Sequence, residues 1–225
     1  MNNLGNVFIL GDSYSTFEGY IPEGFSVYYT IAGRKDTDVR AVTETWWYQL
    51  LNDTNSNLIR NCSYSGTTIC NTGYQGNDYS DISFISRFDK LVKENLFNKN
   101  KVDTFFLFGG TNDSWANAPL GKLKYSDWTK EDLYFVLPAF CYLLNKISEN
   151  LRQTKVYCIL NTELKDEIEE NFISACMKYG VDIIRLKDID KMNGHPTICR
   201  MRQIKEQILS AINAAENLKI RLEDK

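Results

Sequence analysis

The sequence predicts an α/β protein built on a parallel sheet with helices over both faces. Three observations carry this. Short apolar runs alternate with longer stretches of helical period along the whole chain. The runs are continuous, as in strands buried on both faces; Val7-Phe8-Ile9-Leu10 and Phe105-Phe106-Leu107-Phe108 are examples. Polar and glycine-bearing clusters follow them, where strands would pass into loops.

The elements follow in order. Residues 7–10 read as a first strand that ends at Gly11-Asp12. Residues 19–40 fit neither period and are expected as a long loop beside the site, with Tyr20, Phe25, Tyr28 and Tyr29 as wall candidates. Residues 44–51 read as a helix. Trp46 and Trp47 are both expected in ordinary core packing, with one bordering the site as the alternative. Residues 57–61 are a second strand, followed by a polar loop at 63–68. The polar segment 73–78 reads as a lid or an exposed loop. Ile82, Ile85, Phe88, Val92 and Leu96 predict one helix over 82–97. The strand at 102–108 is broken by Gly109-Gly110, and 114–128 is another long loop. A long helix is expected over 130–151, interrupted or bent at Pro138. A strand at 156–160, a helix at 164–179 stopped by Gly180, a strand at 181–186 and a helix at 197–218 complete the chain.

The 225 residues suffice for one sizeable core, and no repeat or linker divides them, so a single domain over 1–225 is expected. Apolar residues are 43% and charged residues 24%, the balance of an ordinary globular protein. A net charge of −3 without a basic cluster argues against nucleic-acid and anionic-membrane partners. No run reaches the ~18 apolar residues of a membrane span. Met1-Asn2-Asn3 leads directly into the first strand, so no signal peptide is expected. The six cysteines (Cys62, Cys70, Cys141, Cys158, Cys176, Cys199) form no Cys-x-x-Cys pair and read as reduced structural thiols, which suits a cytoplasmic address. One histidine supplies no His cluster, so neither a metal nor a cofactor is expected.

In an open parallel sheet, ligands bind outside the carboxyl ends of the strands. Four polar clusters fall at such ends: Gly11-Asp12-Ser13, Ser65-Gly66, Gly110-Thr111-Asn112-Asp113 and Gly194-His195. Acyl transfer needs a nucleophile, a base and donors for the oxyanion, and these clusters can supply each. Ser13 is the candidate nucleophile, and a serine hydroxyl needs a base to take its proton. His195 is the chain's one imidazole. The Gly66 N–H, the Asn112 side-chain amide and the Ser13 N–H are candidate oxyanion donors. Each cluster alone reads more simply: Gly-Asp-Ser as a turn, Gly66 as a loop glycine, Thr111 or Asn112 as a helix cap, His195 as a structural histidine. The argument lies in their joint order.

These four clusters together resemble the SGNH hydrolases, also called the GDSL esterase/lipase family, named for a Ser, Gly, Asn and His in separate sequence blocks. The first block reads Gly11-Asp12-Ser13-Tyr14-Ser15, with Tyr14 in place of the usual Leu. Gly66, Asn112 and His195 match the other three, and the resemblance spans residues 7–197. It implies a flavodoxin-like, three-layer α/β/α fold and hydrolysis of ester or related acyl bonds. One departure stands out. The family places Asp three residues before the histidine, and Met192 occupies that position here. Asp190 is the nearest carboxylate and the favoured orienting group for His195; Asp188 is next, and a backbone carbonyl, leaving a Ser–His dyad, is the alternative. Trp115 is a candidate wall for substrate. Asp12 reads as a turn-stabilising residue and, beside Ser13, as a second candidate substrate contact. The expected activity is a metal-independent serine esterase acting on a small-molecule acyl ester, with an acetyl group on a carbohydrate as the preferred substrate class. A non-catalytic carbohydrate-binding module is the first rival. A flavodoxin-like cofactor binder is the second, disfavoured because an acid follows the first strand where a phosphate would sit and no Gly-x-Gly-x-x-Gly is present.

Overall fold

The computed structural model describes residues 3–223, with side chains described as far as residue 215. Met1 and Asn2, part of the reading of the N-terminus, lie outside the described residues. β1 (Asn6–Gly11) runs into a 3-10 turn at Ser13–Ser15. α1 (Trp46–Thr54) leads back to β2 (Asn57–Ser63). α2 (Phe84–Lys93) and α3 (Leu96–Lys99) precede β3 (Thr104–Phe108). The short α4 (Thr111–Trp115) and then α5 (Val136–Asn150) precede β4 (Lys155–Leu160). α6 (Asp166–Tyr179) precedes β5 (Asp182–Arg185). β6 (Lys191–Met192) and β7 (His195–Pro196) form a small antiparallel hairpin, and α7 (Ile198–Glu223) follows.

Among the described residues, β1 to β5 form one parallel sheet in the order β2-β1-β3-β4-β5. The register aligns the carboxyl ends. Gly11 sits opposite both Ser63 and Phe108, Phe108 opposite Ile159, and Leu160 opposite Arg185. The loops after all five strands therefore emerge at one rim, as the polar clusters after the first, second, third and last strands require.

The two-residue period of the strands divides the core in two. Phe8, Leu10, Phe105, Leu107, Cys158 and Leu160 face one cluster, with Phe84 and Phe88 of α2, Phe140 and Leu144 of α5, and Phe172 of α6. Val7, Ile9, Phe106, Phe108, Tyr157 and Ile159 face the other, with Trp46 and Leu50 of α1 and Ile204 and Ile208 of α7. This is a three-layer α/β/α arrangement. Each large side chain buried contributes roughly 1.5–3 kcal/mol, so both faces of every central strand contribute to the fold. Gly109 is required here, because a Cβ would lie 2.7 Å from the Phe84 ring.

Several boundaries differ from expectation. The expected helix over 82–97 is two helices, broken where Asn95 adopts a left-handed backbone (φ 59). Pro138 neither bends nor interrupts a helix. α5 begins at Val136 after a 3-10 turn at Asp132–Tyr134, so Pro138 sits in the first turn, where a backbone N–H would have no helical acceptor. Neither Thr111 nor Asn112 caps α4; Gly110, at φ 94, holds the cap position with no side-chain bond. Trp46 and Trp47 are both buried in the cluster that α1 and α7 cover, and Trp46 Nε1 donates to Ser15 Oγ at 3.2 Å, supporting the serine turn from the core side. Of the cysteines, Cys199 is exposed, the other five are buried, and none is paired among the described residues. No helix among the described residues is long and apolar enough to cross a membrane.

Candidate active site

Asp12 organises the turn after β1. Its Oδ1 accepts the Tyr14 N–H at 3.1 Å and caps the 3-10 turn that begins at Ser13. Ser13 is only 4% exposed, and its Oγ lies 2.9 Å from His195 Nε2. His195 is held by the hairpin. Asn193 (φ 49) and Gly194 (φ 79) form a two-residue turn with both φ positive, the geometry that matches hairpin twist and favours Asn-Gly. The turn brings the Asn193 carbonyl to 3.3 Å from His195 Nδ1. A carbonyl only accepts, so Nδ1 carries the proton and Nε2 keeps the lone pair that faces Ser13.

Aromatic rings surround the imidazole. Tyr28 stacks on it with centroids 3.5 Å apart and planes 8° from parallel. Tyr14 lies at 5.2 Å, and its hydroxyl donates to the Gly194 carbonyl at 2.5 Å, fastening the hairpin tip to the serine turn. Trp115 approaches edge-on at 6.1 Å, packs over Gly194 and is 38% exposed, which sets it at the rim. Burial among these rings pushes the His195 imidazole down to about 4.

The oxyanion candidates come from two further loops. Tyr64 N–H donates to Gly11 O at 3.2 Å, which carries the β2 loop to the serine turn. Two residues on, Gly66 has φ +80 and open space where a side chain would project. Asn112 Nδ2 donates to Asp12 Oδ2 at 3.4 Å, beside Ser13. Its Oδ1 accepts from the Tyr74 hydroxyl at 2.8 Å. Asp113 holds the two loops together by accepting the Ile69 N–H at 3.0 Å and the Cys70 N–H at 3.4 Å. Burial raises the Asp12 carboxyl to about 7 and that of Asp113 to about 6.

The profile of the GDSL-like lipase/acylhydrolase family matches residues 5–212. The chain belongs to this family. It is 47% identical to a Bacteroides ovatus protein named as a GDSL-like lipase, over 95% of this chain and 100% of that one, with a TM-score of 0.88. A Bacteroides uniformis protein named likewise is 43% identical over 93% of this chain and 96% of its own, with a TM-score of 0.87. A family two carbohydrate esterase from Clostridium thermocellum, solved in complex with cellohexaose, shares the fold at 14% identity, over 96% of this chain and 66% of that one, with a TM-score of 0.62. No curated protein matches. Membership in the GDSL-like family supports an ester hydrolase.

Within this GDSL-like chain, Asp190 does not reach His195. Its side chain is 75% exposed and ion-paired with Arg200 of α7, because it precedes the hairpin and faces the helix. The expected carboxylate is replaced by the Asn193 carbonyl. Asp12 is likewise removed from substrate contact: it is buried, with its carboxylate engaged by Tyr14 and Asn112. Of the candidate wall residues in 19–40, Tyr28 and Tyr29 flank His195, whereas Phe25 stacks on Tyr64 and Tyr20 leans on Trp47. The segment 73–78 is a tied loop that delivers Tyr74 to Asn112.

Arg87 escaped the sequence reading. Its buried guanidinium donates to Gly11 O at 3.2 Å, Thr67 Oγ1 at 3.1 Å, Ile82 O at 3.0 Å and the Cys62 carbonyl. It thereby clamps the ends of β1 and β2. The one available signal for the hairpin was Asn193-Gly194, the strongest short hairpin dipeptide. The assembled group offers a hydroxyl beside a neutral imidazole, with the Asn112 amide bonded to Asp12 next to that serine, an arrangement capable of acyl transfer.

Proposed function

We propose that this chain is a serine esterase that works through a Ser13–His195 dyad on small acyl esters. The carrying observation is the 2.9 Å contact between Ser13 Oγ and His195 Nε2, with Nδ1 directed at a carbonyl. Ser13 Oγ attacks the ester carbonyl carbon while its proton passes to Nε2. The Ser13 and Gly66 N–H groups and Asn112 Nδ2 receive the developing oxyanion. The imidazolium returns the proton to the departing alkoxide, leaving an acyl-Ser13. Water then attacks that carbonyl, again losing its proton to Nε2, and the acid leaves as Ser13 is reprotonated.

An acetylated carbohydrate is the substrate class we favour. The half-exposed indole of Trp115 beside His195 offers a face or edge suited to a sugar ring. The shared fold with a carbohydrate esterase solved with cellohexaose points the same way, at the level of architecture.

The test is labelling with a fluorophosphonate, read by peptide mass spectrometry, together with hydrolysis of p-nitrophenyl acetate and of an acetylated xylo-oligosaccharide. Label on Ser13, with hydrolysis abolished in Ser13→Ala and His195→Ala, supports the reading. An unlabelled Ser13 in a folded protein that still binds the sugar would instead favour a carbohydrate-binding module.

A further inference from the structure

We infer that Tyr74 is a positioning residue that, with Asp12, holds the Asn112 carboxamide in the one orientation that offers a donor to the reacting carbonyl. The inference rests on the serine-esterase reading above. A carboxamide can be seated two ways, and only one presents a donor to an oxyanion; the other presents an oxygen and repels it. Two neighbours decide the matter for Asn112, which is buried. The Tyr74 hydroxyl donates to Oδ1 at 2.8 Å, and Asp12 Oδ2 accepts from Nδ2 at 3.4 Å. Rotating the amide by half a turn would set Oδ1 against the Asp12 carboxylate. A phenol can accept as well as donate, so the Asp12 carboxylate selects the orientation and the shorter Tyr74 bond holds it there.

Tyr74 is itself held firmly. Its loop closes on the Gly73 N–H bond to Asn77 O at 2.8 Å and on a bridge between Thr72 and Asp78. Gly73 lies so close to the Tyr79 ring that a Cβ would come within 2.3 Å of it. The loop is tied to the 3-10 turn before α5 as well: Thr72 Oγ1 donates to Tyr134 O at 2.7 Å, and the Tyr134 hydroxyl to Asp78 Oδ1 at 3.2 Å. A loop tied at so many points presents the Tyr74 phenol to Asn112 in one place. It holds Nδ2 at Asp12, the neighbour of Ser13, before substrate arrives, so the donor need not reorganise during the reaction.

The experiment is a double-mutant cycle on p-nitrophenyl acetate hydrolysis with Tyr74→Phe and Asn112→Ala. Asn112→Ala is expected to lower kcat by ~10²–10³, the usual loss for one oxyanion donor. Tyr74→Phe, which deletes one hydroxyl, is expected to lower kcat about tenfold with KM within about twofold. In the Asn112→Ala background Tyr74→Phe should cost nothing further, because its effect passes through that amide. An unchanged kcat in Tyr74→Phe, or a full additional loss in the double variant, overturns the inference. A second measurement does not depend on turnover. In ¹⁵N-labelled protein the Asn112 side-chain amide, assigned by its loss in Asn112→Ala, should be rigid in the wild type and mobile in Tyr74→Phe. Equal rigidity in both overturns the inference even if Ser13→Ala shows that the esterase reading itself has failed.

Discussion

A carbonyl dipole holds the Nδ1 proton of His195 where a full carboxylate would have stabilised the imidazolium far more strongly, and burial then acts almost unopposed. The imidazole falls to about 4, so the base form persists well below neutrality. Activity needs that deprotonated form, so it rises as pH climbs through the folded pKa and is level above it. The expected acid limb of kcat/KM for p-nitrophenyl acetate therefore lies near pH 4–5, well below the unperturbed ~6.5 of histidine. A limb at 6.5 or higher would show that something other than burial controls the imidazole. The same geometry separates Asp190 from catalysis. Removing a true triad aspartate costs ~10⁴ in kcat. Asp190 is exposed and paired with Arg200, a type of contact worth about 0–1 kcal/mol. Asp190→Ala is expected to keep kcat/KM within about twofold of wild type, measured beside His195→Ala as the inactive reference.

At the scale of elements, the β6–β7 hairpin is the part that turns a strand-and-helix scaffold into a site. Gly194 is its most constrained residue. Its backbone is left-handed, and an added Cβ would lie 3.0 Å from Trp115 Cη2. Gly194→Ala is expected to destabilise the fold by ~1–2 kcal/mol for the left-handed alanine. It should also slow fluorophosphonate labelling of Ser13 by displacing His195. Urea unfolding and a labelling time course read the two effects, and an unchanged labelling rate would mean that the hairpin does not set the position of His195. Much of the architecture was legible in sequence because strands buried on both faces write continuous apolar runs, as in 7–10 and 105–108. What was not legible was local or long-range. A single left-handed Asn95 breaks a helix whose apolar period continues across it. Two-residue strands such as β6 and β7 are too short to show a period. Tyr74 meets Asn112, 38 residues along the chain, through a loop that reads as merely polar. The contact between Ser13 and His195 joins residues that stand out in the sequence as a serine after a strand and the chain's one imidazole; the Asn193 carbonyl does not stand out, because a backbone acceptor leaves no mark on residue type.

For the whole molecule, the site's buried charges set a pH dependence of stability that opposes ordinary acid denaturation. Asp12 and Asp113 titrate at about 7 and about 6 in the folded protein, against a reference of 3.8. Through the window between, the folded state keeps protons that the unfolded chain has released, so stability falls as pH rises. His195 acts the other way. Its folded value of about 4 lies below the reference of 6.5, so the unfolded state holds the extra proton and stability rises with pH between those values. Two acids against one base leave a net decline. The surface carboxylates of Asp36, Asp78, Asp103 and Asp132, half-buried except for the exposed Asp78, are lowered and titrate beneath this window, where solvent screening keeps their contribution small. The thermal midpoint is therefore expected to fall between pH 4.5 and 7.5. Asp12→Asn removes the largest of the opposing groups while keeping an oxygen for the Tyr14 N–H, so its midpoint should fall less steeply over the same range, whatever its absolute value. Parallel curves for the two proteins would mean that Asp12 is ionised in the folded state throughout.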